Sequence, residues 1–152
     1  MKLATLCYVR QDNQTLMIHR IKKLNDIHLG KWNGLGGKLE PGESPEQCVI
    51  REVKEEAGLT IQEPCYHGLL VFANFKNDDW YVWVFSADKF IGEQALESNE
   101  GNLQWIPDKD LTSLNLWPSD QIFLPWLKSE KIFSARFQYA GDEMLGHDVV
   151  FY

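Results

Sequence analysis

The run from Gly37 to Leu59, GKLEPGESPEQCVIREVKEEAGL, leaves this chain little freedom in what it can build. Ser44 is followed at once by Pro45 and, three residues on, by Gln47. That is the mark of a capped helix start. Ser accepts from a first-turn N–H, Gln reaches back, and Pro fills a position whose N–H would have no helical partner. Gly58 supplies the left-handed residue that ends a helix. The spacing therefore predicts a helix from about Pro45 to about Ala57. On it Glu52, Glu55 and Glu56 stand at i, i+3 and i+4 and share one face. Three carboxylates so placed repel one another, and a divalent cation would remove the conflict. Hard oxygen ligands favour Mg²⁺ or Mn²⁺ over softer metals. Cys48, Val49 and Val53, with Ile50 beside them, make an apolar stripe able to pack on a sheet. A plain solvated acidic face would explain the carboxylates alone. It explains poorly the glycine loop, Arg51 and Gly58-Leu59, all in register with them.

The whole spacing is GX5EX7REUXEEXGU, with U an apolar aliphatic residue, and every defined position is filled. It resembles the Nudix box, the motif of enzymes that hydrolyse a nucleoside diphosphate linked to another group. The resemblance implies an α+β Nudix fold, an α/β/α sandwich around a mixed β-sheet. It implies that Glu52, Glu55 and Glu56 hold metal together with the carbonyl of the glycine before the box, here Gly36. Cleaving a phosphoanhydride means bringing water to a phosphorus ringed by negative oxygens, so positioning and charge stabilisation dominate. Gly34, Gly36 and Gly37 let the backbone approach metal or phosphate closely, although a plain turn would also use them. Lys38 is placed to meet a phosphate or, equally well by itself, to be solvated. Arg51 carries a rigid fork of donors suited to pinning Glu43 or Glu52, a supporting role. The general base differs between family members. Glu100, in the loop Glu97-Ser98-Asn99-Glu100, matches the family's loop glutamate and is a candidate base or metal ligand. The alternative is an ordinary exposed loop residue.

Outside the box the chain is similar to the oxidised-purine nucleoside triphosphate diphosphatases of the MutT/MutX type. The likeness is carried by GKWNGLGGKLEPGE at Gly30 to Glu43, by Leu116-Trp117-Pro118-Ser119-Asp120 and by FLPWLKSEKIFSARFQY. It implies that Asn33 hydrogen-bonds the purine, Trp117 stacks on it and Asp120 contacts its edge. Phe72 becomes an apolar wall, Thr5 a contact on the first strand and Lys23 a cation near the entrance. One position departs: Ser119-Asp120 stands where the vertebrate group has two adjacent Asp, which weakens the case for oxidised adenine more than for oxidised guanine. Core packing is the other reading of Trp117, and capping of the following helix is the other reading of Asp120. The implied reaction is 8-oxo-dGTP to 8-oxo-dGMP and pyrophosphate, with attack on the β phosphorus. The alternatives are another nucleoside triphosphate or a nucleotide sugar and, in a different class, a non-catalytic nucleotide-binding module. Such a module would be expected to lose box carboxylates, and none is lost.

At 152 residues the chain fits one domain with a real core. A formal net charge of −7 argues against polymeric nucleic acid, though not against a nucleotide, which needs only local cations. Cys7, Cys48 and Cys65 show no zinc or redox spacing and read as buried thiols. No signal-peptide core or run of about 20 apolar residues is seen, which points to a cytoplasmic location without a membrane partner. Monomer and homodimer both remain open. The expected strands are Leu3–Val9, Thr15–His19, Leu59–Ile61, His67–Phe75, Trp80–Ala87, Asn102–Ile106, Ile132–Tyr139 and Val149–Tyr152, with a second helix over Ser119–Lys128.

Overall fold

The computed structural model describes residues 1–152. Its elements in order are β1 (Lys2–Gln11), β2 (Gln14–Arg20), β3 (Trp32–Asn33), α1 (Pro45–Ala57), β4 (Thr60–Gln62), β5 (Cys65–Phe75) and β6 (Asp78–Ala87). Then come β7 (Lys89–Ile91), β8 (Gly101–Pro107), α2 (Pro118–Phe123), β9 (Phe133–Gly141) and β10 (Glu143–Phe151). Eight strands form one sheet in the order β10-β9-β5-β6-β1-β2-β3, with β8 also on β2; β4 and β7 pair separately. The sheet is mixed because β1 runs parallel to β6 and β5 parallel to β9, while its other pairings are antiparallel.

Alternation along β1 builds two cores at once. Ala4 and Tyr8 face one apolar cluster and Cys7 and Val9 the other. Helix α1 covers the second with Val49, Val53 and Ala57. Phe123 of α2 and the adjacent Leu124 join the first. The result is the α+β sandwich expected from the sequence. Helix α1 has the expected bounds and caps. Gln47 N–H donates to Ser44 Oγ at 3.1 Å, Ser44 N–H donates to Gln47 Oε1 at 2.9 Å, and Gly58 closes the helix at φ 75°.

Several elements differ from expectation. The second helix stops at Phe123 and continues as a 3₁₀ turn over Leu124–Lys128, because Pro125 has no N–H for the α-helical ladder. Strand β7 was not foreseen, and its partner β4 lies far away in sequence. Strand β6 begins at Asp78, not Trp80, because the β5–β6 turn is only Lys76-Asn77, with both at positive φ (51° and 64°), the backbone that suits a two-residue hairpin. Strand β10 begins at Glu143, well before Val149, and is defined by its pairing with β9. Cys65 is exposed, unlike buried Cys7 and Cys48, because it opens a strand at the rim of the sheet. No helix is long and apolar enough to cross a membrane.

One irregularity shapes the site. The β5 register shifts between Phe72 and Phe75, where Asn74 takes φ 57°. Strict alternation would send residues 72 and 75 to opposite faces. The extra residue of the bulge brings both rings to one side, with centroids 6.3 Å apart. Asn74 holds the bulge, its N–H donating to Asp79 Oδ1 and its Nδ2 to Tyr139 O.

Candidate active site

The glycine loop is fastened to β1 as a short ladder. Cys7 N–H donates to Leu35 O at 2.6 Å, Thr5 N–H to Gly37 O at 2.8 Å and Leu39 N–H to Leu3 O at 3.0 Å. Between these bonds Gly36 adopts φ 141°, and its N–H donates to Glu56 Oε1 at 2.8 Å. A Cβ on Gly36 would lie 2.1 Å from Thr5 O, and one on Gly37 2.5 Å from the Glu52 carboxyl carbon. The loop thus lies flat on β1, and α1 brings two carboxylates down onto it. Thr5 is in the cavity wall, but its Oγ1 sits 3.3 Å from Cys48 Sγ and 3.5 Å from Gly37 O, beneath the loop.

Arg51 organises the outer side of α1. Its Nε and Nη2 donate to both oxygens of Glu43 at 2.7 and 2.9 Å. Its Nη1 donates to Glu52 Oε1 at 2.8 Å and to Glu55 Oε2 at 3.3 Å, and Nη2 also reaches Lys38 O at 3.1 Å. These donors pull the Glu43 carboxyl down to about 2. The glutamate face divides. Glu52 lines the cavity and Glu56 lies behind Gly36, whereas the Glu55 side chain is 58% exposed and outside the cavity wall. Helix geometry explains this, since Glu55 is rotated about 100° from Glu56.

Burial pushes Glu56 up to about 8, opposed by the Gly36 N–H and reinforced by the nearby charges of Glu100 and Glu52. Burial also raises Glu52, against the pull of Arg51. Buried acidic groups crowded beside a glycine cradle are hard-oxygen donors of the kind a divalent cation takes. No three of them close on a single point. Glu52 is engaged by Arg51, and Glu100 by Arg20 Nη1 at 3.3 Å.

A cavity of about 520 Å³ runs from this acidic end to an aromatic end. Gly36, Gly37, Lys38, Glu52 and Glu100 line the first; Asn33, Phe72, Trp117 and Asp120 line the second. Lys23 is not in this wall. It lines an adjoining groove of about 410 Å³, which also touches Lys38 and Glu100. Trp117 is both a core residue, 7% exposed, and a cavity wall. Its ring meets Phe75 edge-on at 4.8 Å, carries Lys31 Nζ 4.8 Å over its face, and donates from Nε1 to His28 Nδ1 at 2.9 Å.

Asp120 does not cap α2, whose N-cap residue is Trp117, with no side-chain cap bond. It ends a buried chain instead: Tyr139 OH donates to Ser119 Oγ at 2.8 Å, and Ser119 Oγ donates to Asp120 Oδ1 at 3.2 Å. Burial lifts Asp120 to about 7, opposed by the Ser119 bond and the charge of Lys31. The folded chain therefore keeps this proton where the unfolded chain has released it, and its contribution to stability falls as pH rises from about 4 to about 7. Asp120→Asn, which cannot ionise, should match wild type near pH 4 and exceed it at pH 8 by on the order of a few kcal/mol. Urea unfolding across that range measures this; equal pH slopes for the two proteins would mean Asp120 is ionised in its pocket.

Sequence reasoning missed Arg20, Asp26, His28, Phe75 and Tyr139, all of which line the cavity. The first three belong to the end of β2 and the loop after it, where nothing in the pattern marks a functional role. Phe75 needs the bulge and Tyr139 the β5–β9 pairing.

The NUDIX domain family model matches residues 1–127. The Nudix hydrolase YvcI of Bacillus subtilis is 32% identical over 94% of this chain and 90% of its own length. The oxidized purine nucleoside triphosphate hydrolase of Danio rerio is 35% identical over 98% of this chain and 90% of its own. Among solved structures, a mutator MutT protein from Bacillus halodurans superposes with a TM-score of 0.88 at 29% identity, covering 98% of this chain and 97% of that one.

Proposed function

Because the chain belongs to the Nudix hydrolase family, we propose that it converts oxidised purine nucleoside triphosphates, 8-oxo-dGTP first among them, to the monophosphate and pyrophosphate. The observation that carries this reading is the single cavity joining the two ends. A desolvated carboxylate cluster on a glycine loop opens directly into an aromatic slot with a buried Asp120, lifted to about 7, at its edge.

The cavity lining supports a division of labour. Trp117 and Phe72 offer apolar faces to a purine, and Asn33 and Asp120 offer polar atoms to its edge. Lys38 and Lys23, which line the adjoining groove, would meet the phosphates. The Gly36 carbonyl, Glu52, Glu56 and Glu100, with Glu55 at the rim, would hold Mg²⁺. When bound, that cation supplies charge neutralisation on the phosphates and a more acidic water. Arg51 keeps Glu52 and Glu55 oriented while tied to Glu43. Glu100 lines the cavity on a turn closed by Glu100 N–H donating to Ser98 Oγ, and as general base it would activate the attacking water.

Discrimination between 8-oxo-dGTP and dGTP tests the base end. The nucleotides differ at N7 and O8, and a polar atom left unpaired in a buried slot costs about 1–3 kcal/mol, or roughly 5- to 150-fold. Asn33→Ala and Asp120→Asn should each lower the ratio of kcat/KM for the two nucleotides by an amount in that range. Unchanged ratios would remove both residues from base reading. A wild type that cleaves another nucleotide better would replace the substrate and leave only the hydrolase.

A further inference from the structure

The loop between β2 and β3 is folded tightly on itself. Arg20 N–H donates to Lys31 O and Gly30 N–H to Arg20 O at its neck, and Leu29 N–H donates to Asp26 O within it. The Asp26 side chain is only 4% exposed, and its two oxygens serve different ends of the cavity. Oδ2 accepts from Arg20 Nε at 2.8 Å, and the same guanidinium holds Glu100 Oε2 through Nη1 at 3.3 Å. Oδ1 accepts from the backbone N–H of His28 at 3.0 Å, and the His28 ring accepts from Trp117 Nε1 at 2.9 Å. Lys22 N–H also donates to Glu100 O, at 3.3 Å, which ties this loop to the Glu100 turn.

We propose that Asp26 is a positioning residue whose single carboxylate sets both the carboxylate Glu100 at the reacting end and the indole of Trp117 at the base end. The assignment rests on the proposed roles of Glu100 and Trp117. A buried carboxylate with each oxygen committed to a separate arm has no freedom to satisfy one and abandon the other. The His28 arm is a dependable acceptor. Burial, aided by the charges of Arg20 and Lys76 and opposed by Asp26, holds the imidazole down at about 4, so the ring stays neutral. His28 also stacks on Phe75, with centroids 5.9 Å apart, which fixes its plane. The loop thereby gives the two ends of the cavity one common reference point instead of two independent ones.

The two arms can be cut separately. Two readouts are needed: kcat with saturating Mg²⁺, and binding of 8-oxo-dGMP without metal, followed by tryptophan fluorescence. His28→Phe keeps the stack on Phe75 and loses the acceptor for Trp117. It should weaken 8-oxo-dGMP binding about 5- to 30-fold with kcat changed less than about threefold. Arg20→Gln should lower kcat about 5- to 30-fold with binding changed less than about threefold. Asp26→Ala should do both. Asp26→Asn keeps an oxygen for the His28 N–H but loses the charge on Arg20, so it should restore binding and not kcat. Thermal unfolding identifies any variant that has lost its fold; if Asp26→Ala is one, Asp26→Asn carries the test. Equal losses of binding and kcat in Asp26→Asn, or a loss of both in each arm variant, would overturn the assignment. If wild type shows no preference for the oxidised base, the proposed substrate fails. The split between the arms is then read with dGTP and dGMP, so the two failures stay distinct.

Discussion

Glu56→Gln lowers kcat by about 10²-fold or more, the scale of losing a main electrostatic contributor to a buried site, while the protein stays folded. The structure explains why both should hold. Gln retains an Oε1 in the place where Glu56 accepts the Gly36 N–H at 2.8 Å, so the join between helix and loop survives. Lost is the negative charge available to a cation. The pH behaviour gives an independent check. Burial holds Glu56 at about 8 in the folded chain, far above the ordinary glutamate value of 4.5. Its contribution to stability is therefore present below about pH 4.5 and is lost as pH rises through about 8. Gln does not titrate, so the variant should be more stable than wild type at pH 9 and no more stable at pH 4. Turnover with saturating Mg²⁺, set beside urea unfolding at the two pH values, measures both effects. Near-normal turnover would remove Glu56 from the catalytic site, and equal pH slopes would show that its carboxyl is ionised in the folded protein without the cation.

Gly36→Ala should damage the fold and the site together. Two costs coincide there: φ is 141°, a region closed to L side chains, and the new Cβ would meet the backbone oxygen of Thr5 at 2.1 Å. Backbone cannot move aside as a flexible side chain can, so the loop must lift from β1. The expected loss is about 3–5 kcal/mol, with the Gly36–Glu56 hydrogen bond broken and activity lost with it. Gly42→Ala is the natural control. Gly42 also has positive φ, 78°, but nothing lies within 4 Å of a Cβ built there. That change should cost only about 1 kcal/mol. Urea midpoints of the two variants make the comparison. Similar values would mean that close approach to β1 is not what the glycine at 36 is for.

Helix α1 was fully legible because each of its signals is local. Ser44, Pro45, Gln47 and Gly58 act within one turn of the ends they define, and Cys48, Val49 and Val53 repeat at helical spacing. Strands β1, β2, β5 and β6 were legible for a similar reason, from patterns that run over a few residues. Glu55 shows where local reading stops. Its spacing places it with Glu52 and Glu56, yet the rotation of the helix against the glycine loop selects only two of the three for the interior. Lys23 shows the same limit, displaced into the neighbouring groove.

By itself, then, the sequence determined the capped helix, the run of glycines before it, the carboxylates they bring together and the α+β class, since hydrogen bonds and periodicity over a few residues dictate these. The base slot was decided by the tertiary structure. Phe75 enters it through a bulge, Tyr139 through a parallel pairing with β5, and Asp120 holds its proton more tightly only when packing removes its water. Arg20, Asp26 and His28 carry no local mark either. Their roles depend on which distant groups, Glu100 and Trp117, the folded sheet sets within hydrogen-bond reach, and such contacts between residues far apart in the chain leave no periodicity for a sequence to display.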